Sequence, residues 1–520
     1  MNMHAIKILI LTEVRLRMRR TSTLVTLFAV AALAWLMFAD QSGGYTFIAI
    51  GNARVLNTSS TIAIGSVSLF GLIFGLAGFF LTRGRIGEDV RCGTGSVIGS
   101  STISSSLFLM CRWLGGVGYL VLMASVFMLT VMVCHLFRGT GPIQPWVYIE
   151  TYFIILFPLI CFSVSCAVLF DSIAPLMGKL GDVVFFFLWV AQFTAMNSVD
   201  DHGPIQFCSL LLIDFSGTVM SVKSLLAQLH SNAISLGYAS FDPQLPAITL
   251  SNDLWTSTMV LMRLTSAAIA SLVLLPAFFI FHRYSTDKVK VSHTSQRRSP
   301  LEMANQFTRP LTRLIEPLYK LAAHFPGIWG AALADVALTL NSSPAAILVL
   351  LIVFFTSLVA KFTFLPVLLL VSTLAWGIII SDVSTRDYIS GCEDMTGVVP
   401  GGVHQRYLRQ FVATFILGMF LSCMIMLRFA LHDAFLAAAL LTGLVSLSAL
   451  ASLCGRLSRT PRLFLSIFLF WIYVAVQVPK VAIIDIVAFN GVANTASAFI
   501  QLGIATTALV LGYSYNRWIK

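Results

Sequence analysis

Twelve apolar runs, each long enough or nearly long enough to cross a lipid bilayer, restrict this chain more than any other feature. About 20 apolar residues in a helix span the hydrocarbon core, and a helix satisfies its backbone hydrogen bonds within its own segment. Six runs precede a long polar centre and six follow it. The predicted spans are Thr23–Ala39, Thr61–Leu81, Leu114–Phe137, Tyr148–Phe170, Val183–Met196, Thr258–Phe281, Ala345–Val359, Phe364–Ile380, Tyr407–Ala430, Ala434–Leu453, Leu463–Val478 and Ala496–Tyr513.

The composition agrees with a chain that lies mostly in lipid. Hydrophobic residues make up 58% of the sequence and charged residues 11%, whereas a soluble domain averages about 45–50% and about 25%. Most of the 33 Lys and Arg residues fall in segments that lie inside when the N-terminus is inside. Because basic loops stay on the cytoplasmic side, both termini are predicted inside. The net charge of +11 is then an orientation signal and not a nucleic-acid surface.

Two sequence matches indicate that the second half repeats the first. The segment Leu11–Ser22 resembles Leu333–Pro344, with Glu13 over Asp335. Both copies precede the first span of their half and would have the same topology, so the repeats are predicted to be parallel. A polar segment between the second and third spans also matches, with Asp89, Gly93 and Gly99 over Asp387, Gly391 and Gly397.

The chain is predicted to divide into a first six-span half at 1–282, a basic linker with an amphipathic helix at 283–325, and a second half at 326–520. Amphipathic segments at Met1–Arg20 and Met303–Phe325 precede the first span of each half. Such helices lie in the headgroup plane and use anionic lipid as a counterion. For the second segment, a solvated linker helix is the alternative.

The loop at 198–257, between the fifth and sixth spans, is predicted to lie outside the membrane. Its stretch Phe207–His230 is too apolar for a free linker and is interrupted by Asp214 and Gly217. A lid or small outside domain and an amphipathic surface helix both remain open.

Several kinds of chemistry have no motif in this sequence. No G-x-x-x-x-G-K-[ST] pattern is present, so the chain is not expected to hydrolyse ATP through a phosphate-binding loop. No H-E-x-x-H or G-x-S-x-G pattern occurs, and the nine cysteines show no metal-ligand spacing. Neither a catalytic residue nor a metal site is predicted.

The helix with an early acidic residue, the six-span half and the polar inside segment together resemble the membrane subunit of an ATP-binding-cassette exporter of the type-2 permease class. The resemblance implies an all-α integral membrane protein whose twelve transmembrane helices form two parallel six-helix repeats, each preceded by an amphipathic elbow helix. It also implies a bacterial cytoplasmic membrane and a partner, a dimer of a separate ATPase subunit that binds ATP and Mg. No cofactor is expected on this chain, and membrane lipids are its other expected partners.

In that family, the polar segment between the second and third spans is the coupling helix, which docks on the ATPase. Here the segments are Glu88–Ser106 and Arg386–His404. The resemblance implies that their charged side chains contact the ATPase, namely Glu88, Asp89, Arg91, Arg386, Asp387, Glu393 and Asp394.

The pathway is expected between the two parallel halves, with apolar walls that suit a lipid-like molecule, a drug or a hydrophobic peptide. Helix–helix contact is the more ordinary use of Gly and Phe in spans. The candidates are Gly71, Phe74 and Gly78 in the second span and Phe185, Phe187 and Phe193 in the fifth.

Two other classes of protein remain open. A major-facilitator carrier also has twelve spans, but its signature places an acid ahead of a basic cluster, whereas Arg83-Gly84-Arg85 has none. A proton-coupled carrier would also need carboxylates in mid-membrane. The size of the outside loop leaves a non-transporting membrane enzyme or scaffold as the third class.

Overall fold

The chain folds into two compact units, unit 1 (Met1–Arg297) and unit 2 (Arg298–Lys520). The computed structural model describes residues 3–19, 21–37, 45–50, 53–196, 209–229, 234–242, 244–281, 300–398 and 402–518. Residues 283–299 of the predicted linker and residues 198–208 of the predicted outside loop lie outside the described residues.

Unit 1 is a helical bundle with a small antiparallel sheet. Its strands are β1 (Tyr45–Ile50), β2 (Ala53–Arg54) and β3 (Ile234–Ser240). Its helices are α1 (Met3–Met18), α2 (Thr21–Met37), α3 (Ser59–Thr82), α4 (Arg85–Arg91), α5 (Thr94–Ser100), α6 (Ser105–Arg138), α7 (Pro145–Ser172), α8 (Lys179–Met196), α9 (Ser209–Ile213), α10 (Thr218–Leu229), α11 (Ser257–Leu272) and α12 (Leu275–Ile280).

Unit 2 contains helices and no strand among the residues that the structure describes. A 3-10 helix at Arg309–Ile315 follows its first helix, and another at Phe362–Phe364 leads into a long apolar helix. The α-helices are α13 (Pro300–Phe307), α14 (Glu316–His324), α15 (Gly327–Ser342), α16 (Ala345–Val359), α17 (Leu365–Ile380), α18 (Arg386–Ile389), α19 (Glu393–Gly397), α20 (Gly402–His432), α21 (Ala434–Ser458), α22 (Arg462–Gln477) and α23 (Thr495–Trp518).

The apolar runs coincide with helices, as their length and composition require. Among the described residues, eight helical segments are long and apolar enough to cross a membrane. The number reaches ten if two bent pairs each form one span: α1 with α2, bent by 73°, and α15 with α16, bent by 101°. At 16 residues, α22 is shorter than the others. The chain is therefore a predominantly helical, multi-pass membrane protein.

The same pairs of helices pack together in each unit. In unit 1, α1, α2 and α3 all pack on α6, and α11 packs on α7. In unit 2, α15, α16 and α17 pack on α20, and α23 packs on α21. The order of these helices along the chain is also the same, so these contacts are shared by the two units, whereas the close packing of α3 on α7 in unit 1 has no counterpart between α17 and α21 in unit 2.

The sheet is a feature that the all-α prediction missed. Strand β1 lies between β2 and β3 and is antiparallel to both. Its residues Phe47, Ile48, Ala49 and Ile50 are buried. Strand β3 comes from the 198–257 loop, far along the chain from β1, so no local alternation predicts the pairing. Part of that loop thus forms a small sheet with the loop between α2 and α3.

Candidate functional site

The polar segment of unit 1 folds as two short helices between α3 and α6. Helix α4 follows Gly84 directly, and α5 follows Gly93, whose φ of +72° is the left-handed conformation that glycine adopts most easily. The next helix begins at Ser104, whose hydroxyl accepts a hydrogen bond from the Leu107 backbone N–H. In unit 2, Gly391 has a φ of +71° between α18 and α19. Both segments therefore turn at the glycine that aligns between the repeats.

Buried ion pairs attach the segment of unit 1 to α1 and α6. Glu13 Oε1 of α1 lies 2.9 Å from Arg17 Nη2 and 3.2 Å from Arg85 Nε of α4. Asp89 of α4 pairs with Arg112 of α6, and both side chains are buried. Because charges of both signs are buried together, each compensates the desolvation of the other.

Arg83 attaches the start of the same segment to α7 and α8. Its guanidinium pairs with Asp182, and its Nε lies 3.5 Å from Asp171 Oδ1. The backbone N–H of Gly84 donates to Asp171 Oδ2 at 2.6 Å. The segment is thus attached to the bundle at its first residues as well as through α4.

Unit 2 attaches its segment with a comparable set of charges. Arg409 Nε of α20 lies 2.7 Å from Asp335 Oδ2 of α15, and Arg409 Nη2 lies 3.7 Å from Asp387 Oδ2 of α18. Glu393 of α19 pairs with Arg456, and its Oε1 lies 3.1 Å from Arg406 Nη2. The segment is therefore joined to α15, α20 and α21.

The acids that align between the two repeats all pair with arginines of their own unit. Glu13 and Asp335 lie on the helix before the first predicted span, and Asp89 and Asp387 lie on the polar segment. In both units, the helix that follows the segment supplies an arginine, Arg112 or Arg409. The sequence analysis missed these arginines and also Arg406 and Arg456. The basic residues at the end of each polar segment could have indicated three of them, namely Arg112, Arg406 and Arg409.

Most of the acids predicted to contact an ATPase point into their own unit. Asp89 is buried, and Asp387 and Glu393 are partly buried in ion pairs. Burial raises the pKa of Glu393, but the hydrogen bond and charge of Arg456 outweigh it, so the net pKa is lowered. Asp394 is exposed.

Glu88 and Arg386 were also predicted to contact an ATPase, and their side chains lie among the described residues. Glu88 is half-buried and lies 2.6 Å from Arg85 Nη1. Arg386 Nη2 donates to Thr339 Oγ1 at 3.1 Å. The backbone of Arg91 lies in α4, but its side chain is outside the description.

Both segments expose apolar side chains among their exposed polar residues. Val97 of α5 is 70% exposed, and in unit 2 Met395 and Val398 are 75% and 85% exposed. We call the exposed apolar side chains of each segment, Val97 in unit 1 and Met395 with Val398 in unit 2, its docking face. Val97 and Met395 lie on short helices, and Val398 directly follows the second of them. None of the three lies on a helix that is long enough to cross a membrane.

The six predicted pathway residues lie at different depths within unit 1. Gly71, Phe74 and Gly78 are buried in α3, and Phe185 is buried in α8. Phe187 is exposed, and Phe193 lies at an intermediate depth.

Contacts of the buried pathway candidates show how they pack. A Cβ on Gly71 would lie 3.8 Å from Leu156 of α7, and a Cβ on Gly78 would lie 3.0 Å from Leu120 of α6. The ring of Phe185 stacks on Phe79 at 3.7 Å between centroids. Gly71, Gly78 and Phe185 therefore pack between helices of unit 1.

A turn from the 198–257 loop enters the bundle of unit 1 and is held there by Arg263 of α11. Arg263 is 2% exposed, and it donates to the backbone carbonyls of Asp214 and Phe215 in the turn. It also donates to the carbonyls of Ile154 and Ile155 in α7. The single guanidinium thus joins three elements, which the sequence analysis did not anticipate.

Unit 2 holds its connection between α22 and α23 with a neutral side chain. Gln501 occupies the seventh position of α23, as Arg263 does in α11. Its amide donates to the Ile483 carbonyl at 3.3 Å and accepts from Ser446 Oγ of α21 at 2.9 Å. Both units therefore use a polar residue of the last helix to join the preceding connection to the bundle.

Within the part of the chain that the structure describes, no group of three or more His, Cys, Asp or Glu side chains could hold a metal ion. No protein-family model, curated protein sequence or solved structure matches this chain.

Proposed function

We propose that this chain is the permease subunit of an ATP-binding-cassette exporter of the type-2 class, driven by a separate ATPase dimer that binds ATP and Mg. One observation carries the proposal: each unit holds a two-helix polar segment by internal ion pairs and turns apolar side chains outward. These side chains are Val97 in unit 1 and Met395 and Val398 in unit 2. Exposed apolar side chains outside lipid favour a protein partner.

The attachment of these segments suits the transmission of force. A partner that moves a segment can move a bundle only if the two are joined by packed side chains or charge networks. Glu13 and Arg85 join the segment of unit 1 to α1, and Arg409 joins the segment of unit 2 to α15. A movement of the ATPase would thus reach the helices before the first spans.

The same proposal includes the finer topology. Twelve spans in two parallel repeats, with α1 and α15 as elbow helices, are supported by the shared packing pattern and by the bends of 73° and 101°. The basic residues support N- and C-termini inside a bacterial cytoplasmic membrane. The 40 phenylalanines of the chain support a hydrophobic cargo, which is a lipid-like molecule, a drug or a peptide. The proposed direction of transport is export to the outside.

We expect the double variant Val97→Asp, Met395→Asp to lose its ATPase partner while it still inserts and folds. A carboxylate on each face would have to be desolvated in the contact, which costs several kcal/mol without a pairing cation. The measurement is recovery of Mg-dependent ATP hydrolysis with the affinity-purified chain from native membranes. Ser96→Asp is the matched control because Ser96 is exposed on the same helix as Val97 and its replacement removes no apolar side chain.

The exposed thiol of Cys92 provides a second readout. A bifunctional reagent on Cys92 should cross-link the wild-type chain to a polypeptide with a nucleotide-binding motif, and should fail in the double variant. Equal cross-linking in both would contradict the docking face. Transport by the chain alone, driven by an ion gradient without ATP, would refute the exporter and favour the major-facilitator alternative.

A further inference from the structure

A polar cavity of about 410 Å³ lies in unit 2, where α13 and the following 3-10 helix meet the bend between α15 and α16. The volume is in the range of small-molecule sites, roughly 300–1,000 Å³. Its lining has one cation and no acid: Asn305, Gln306, Arg309, Thr312, Asn341 and Pro344. Nothing in the proposed transport function uses these residues.

If α16 crosses the bilayer and α15 does not, the bend between them puts this cavity at the depth of the lipid headgroups. Helix α16 is apolar, and its exposed side chains Leu348, Ile352 and Phe355 suit contact with acyl chains. Because α15 turns away by 101°, the residues at the bend lie where α16 leaves the hydrocarbon. Trp329 of α15 is exposed, as tryptophans at the membrane interface are.

Exposed apolar side chains beside the cavity indicate contact with lipid. Phe307 of α13 is 88% exposed, and Met303 and Leu314 on the same stretch are also exposed. A polar segment with such a face lies in the interface, with the face in the acyl region. A ligand of the adjacent cavity would therefore come from the membrane.

The single cation of the lining, Arg309, favours an anionic ligand. Arg309 is exposed and forms no ion pair with any residue that the structure describes. The amides of Asn305, Gln306 and Asn341 add hydrogen-bonding groups of the kind that surround phosphates, whereas the Thr312 hydroxyl donates to the Arg309 carbonyl at 2.8 Å. The cavity also opens at the start of α16, where Asn305 Oδ1 accepts from the Ala345 N–H at 3.1 Å. The dipole of a helix favours negative charge at that end.

We propose that this cavity binds the phosphate of an anionic glycerophospholipid, with Arg309 as its cation and the acyl chains beside Phe307 and Leu314. The lipid would connect the bend between α15 and α16 to the membrane surface. The inference stands apart from the exporter proposal, since it depends only on the cavity, its charge and its depth.

The test uses the full-length chain, delipidated in detergent and titrated with phosphatidylglycerol, with bound lipid counted by native mass spectrometry. Arg309→Gln should weaken the tightest lipid about tenfold or more, as expected when one charge-assisted hydrogen bond is lost. The matched control is Arg313→Gln, because Arg313 is exposed on the same 3-10 helix but does not line the cavity. It should leave that affinity unchanged, and Arg309→Lys should retain part of it.

Three results would overturn the proposal. Equal losses in Arg309→Gln and Arg313→Gln would show a diffuse attraction between basic residues and anionic lipid. Equal binding of phosphatidylcholine and phosphatidylglycerol would remove the selection for an anion. Displacement of the bound lipid by millimolar inorganic phosphate would show that the cavity is a site for free phosphate. Thermal unfolding of each variant in detergent verifies that it is folded.

Discussion

Replacement of Arg263 by methionine is expected to lower the free energy of unfolding of unit 1 by about 3 kcal/mol, and to release the turn at Asp214–Gly217. The guanidinium donates to four buried backbone carbonyls, at 3.1 Å to Ile154, 2.8 Å to Ile155 and 3.0 Å to Phe215, and also to Asp214. Methionine fills a similar volume but donates nothing, so the two carbonyls of the turn lose a partner in a buried site.

Proline explains why α7 needs this arginine. Pro158 lies inside α7 and has no backbone N–H, so the carbonyl of Ile154, four residues earlier, lacks its helical partner. Arg263 Nε supplies that donor. Pro158→Ala in the Arg263→Met background should therefore recover part of the lost stability, because the new N–H can donate to Ile154.

Two other variants separate geometry from charge. Arg263→Lys keeps the cation but has a single nitrogen, which does not reach carbonyls on both α7 and the turn, so most of the loss should remain. Gln501→Leu in unit 2 removes a neutral side chain with two hydrogen bonds and should cost about 1 kcal/mol.

The measurements are thermal unfolding in detergent and hydrogen exchange of residues 209–229. Arg263→Met should melt at a lower temperature and exchange faster in that stretch, whereas Gln501→Leu should leave the stretch protected. An Arg263→Met protein as stable and as protected as the wild type would exclude the structural role of the guanidinium.

Part of this fold follows from length and periodicity alone. Each predicted span lies on a helix because an apolar run of about 20 residues has no better way to satisfy its backbone in lipid. The register of the repeat also pointed to the right acids, since Glu13, Asp89, Asp335 and Asp387 all lie in the ion-pair networks. The matched positions are the ones that attach each polar segment.

Two features depend on contacts between distant residues and could not be read locally. The pairing of β1 with β3 joins segments on opposite sides of four predicted spans. The direction of a charged side chain is equally non-local: Asp89 faces inward because Arg112, on the next long helix, lies beneath it. The sequence pattern alone does not show which charged side chains of the segment face inward and which face a partner.

Charge reversal at Asp89 separates attachment of the polar segment from direct contact with an ATPase. Asp89→Arg would place two arginines together in a buried site, and loss of one partner from a buried pair costs about 3–5 kcal/mol. The segment of unit 1 should detach from α6, and the ATPase should be lost with it. Glu88→Gln is the control, because Glu88 is half-buried and its pair with Arg85 contributes about 1 kcal/mol or less.

The decisive variant is the exchange Asp89→Arg with Arg112→Asp. If Asp89 attaches the segment, the exchanged pair restores the ion pair and most of the ATPase recovery. Restoration should be incomplete, because Arg112 also lies 4.7 Å above the ring of Phe108, a contact that aspartate does not make. If Asp89 instead contacts the ATPase directly, the exchanged protein should be as stable as the wild type and still lack its partner. Thermal stability and ATPase recovery, measured on the same preparation, decide between the two roles, and the buried pair leads us to expect that both return together.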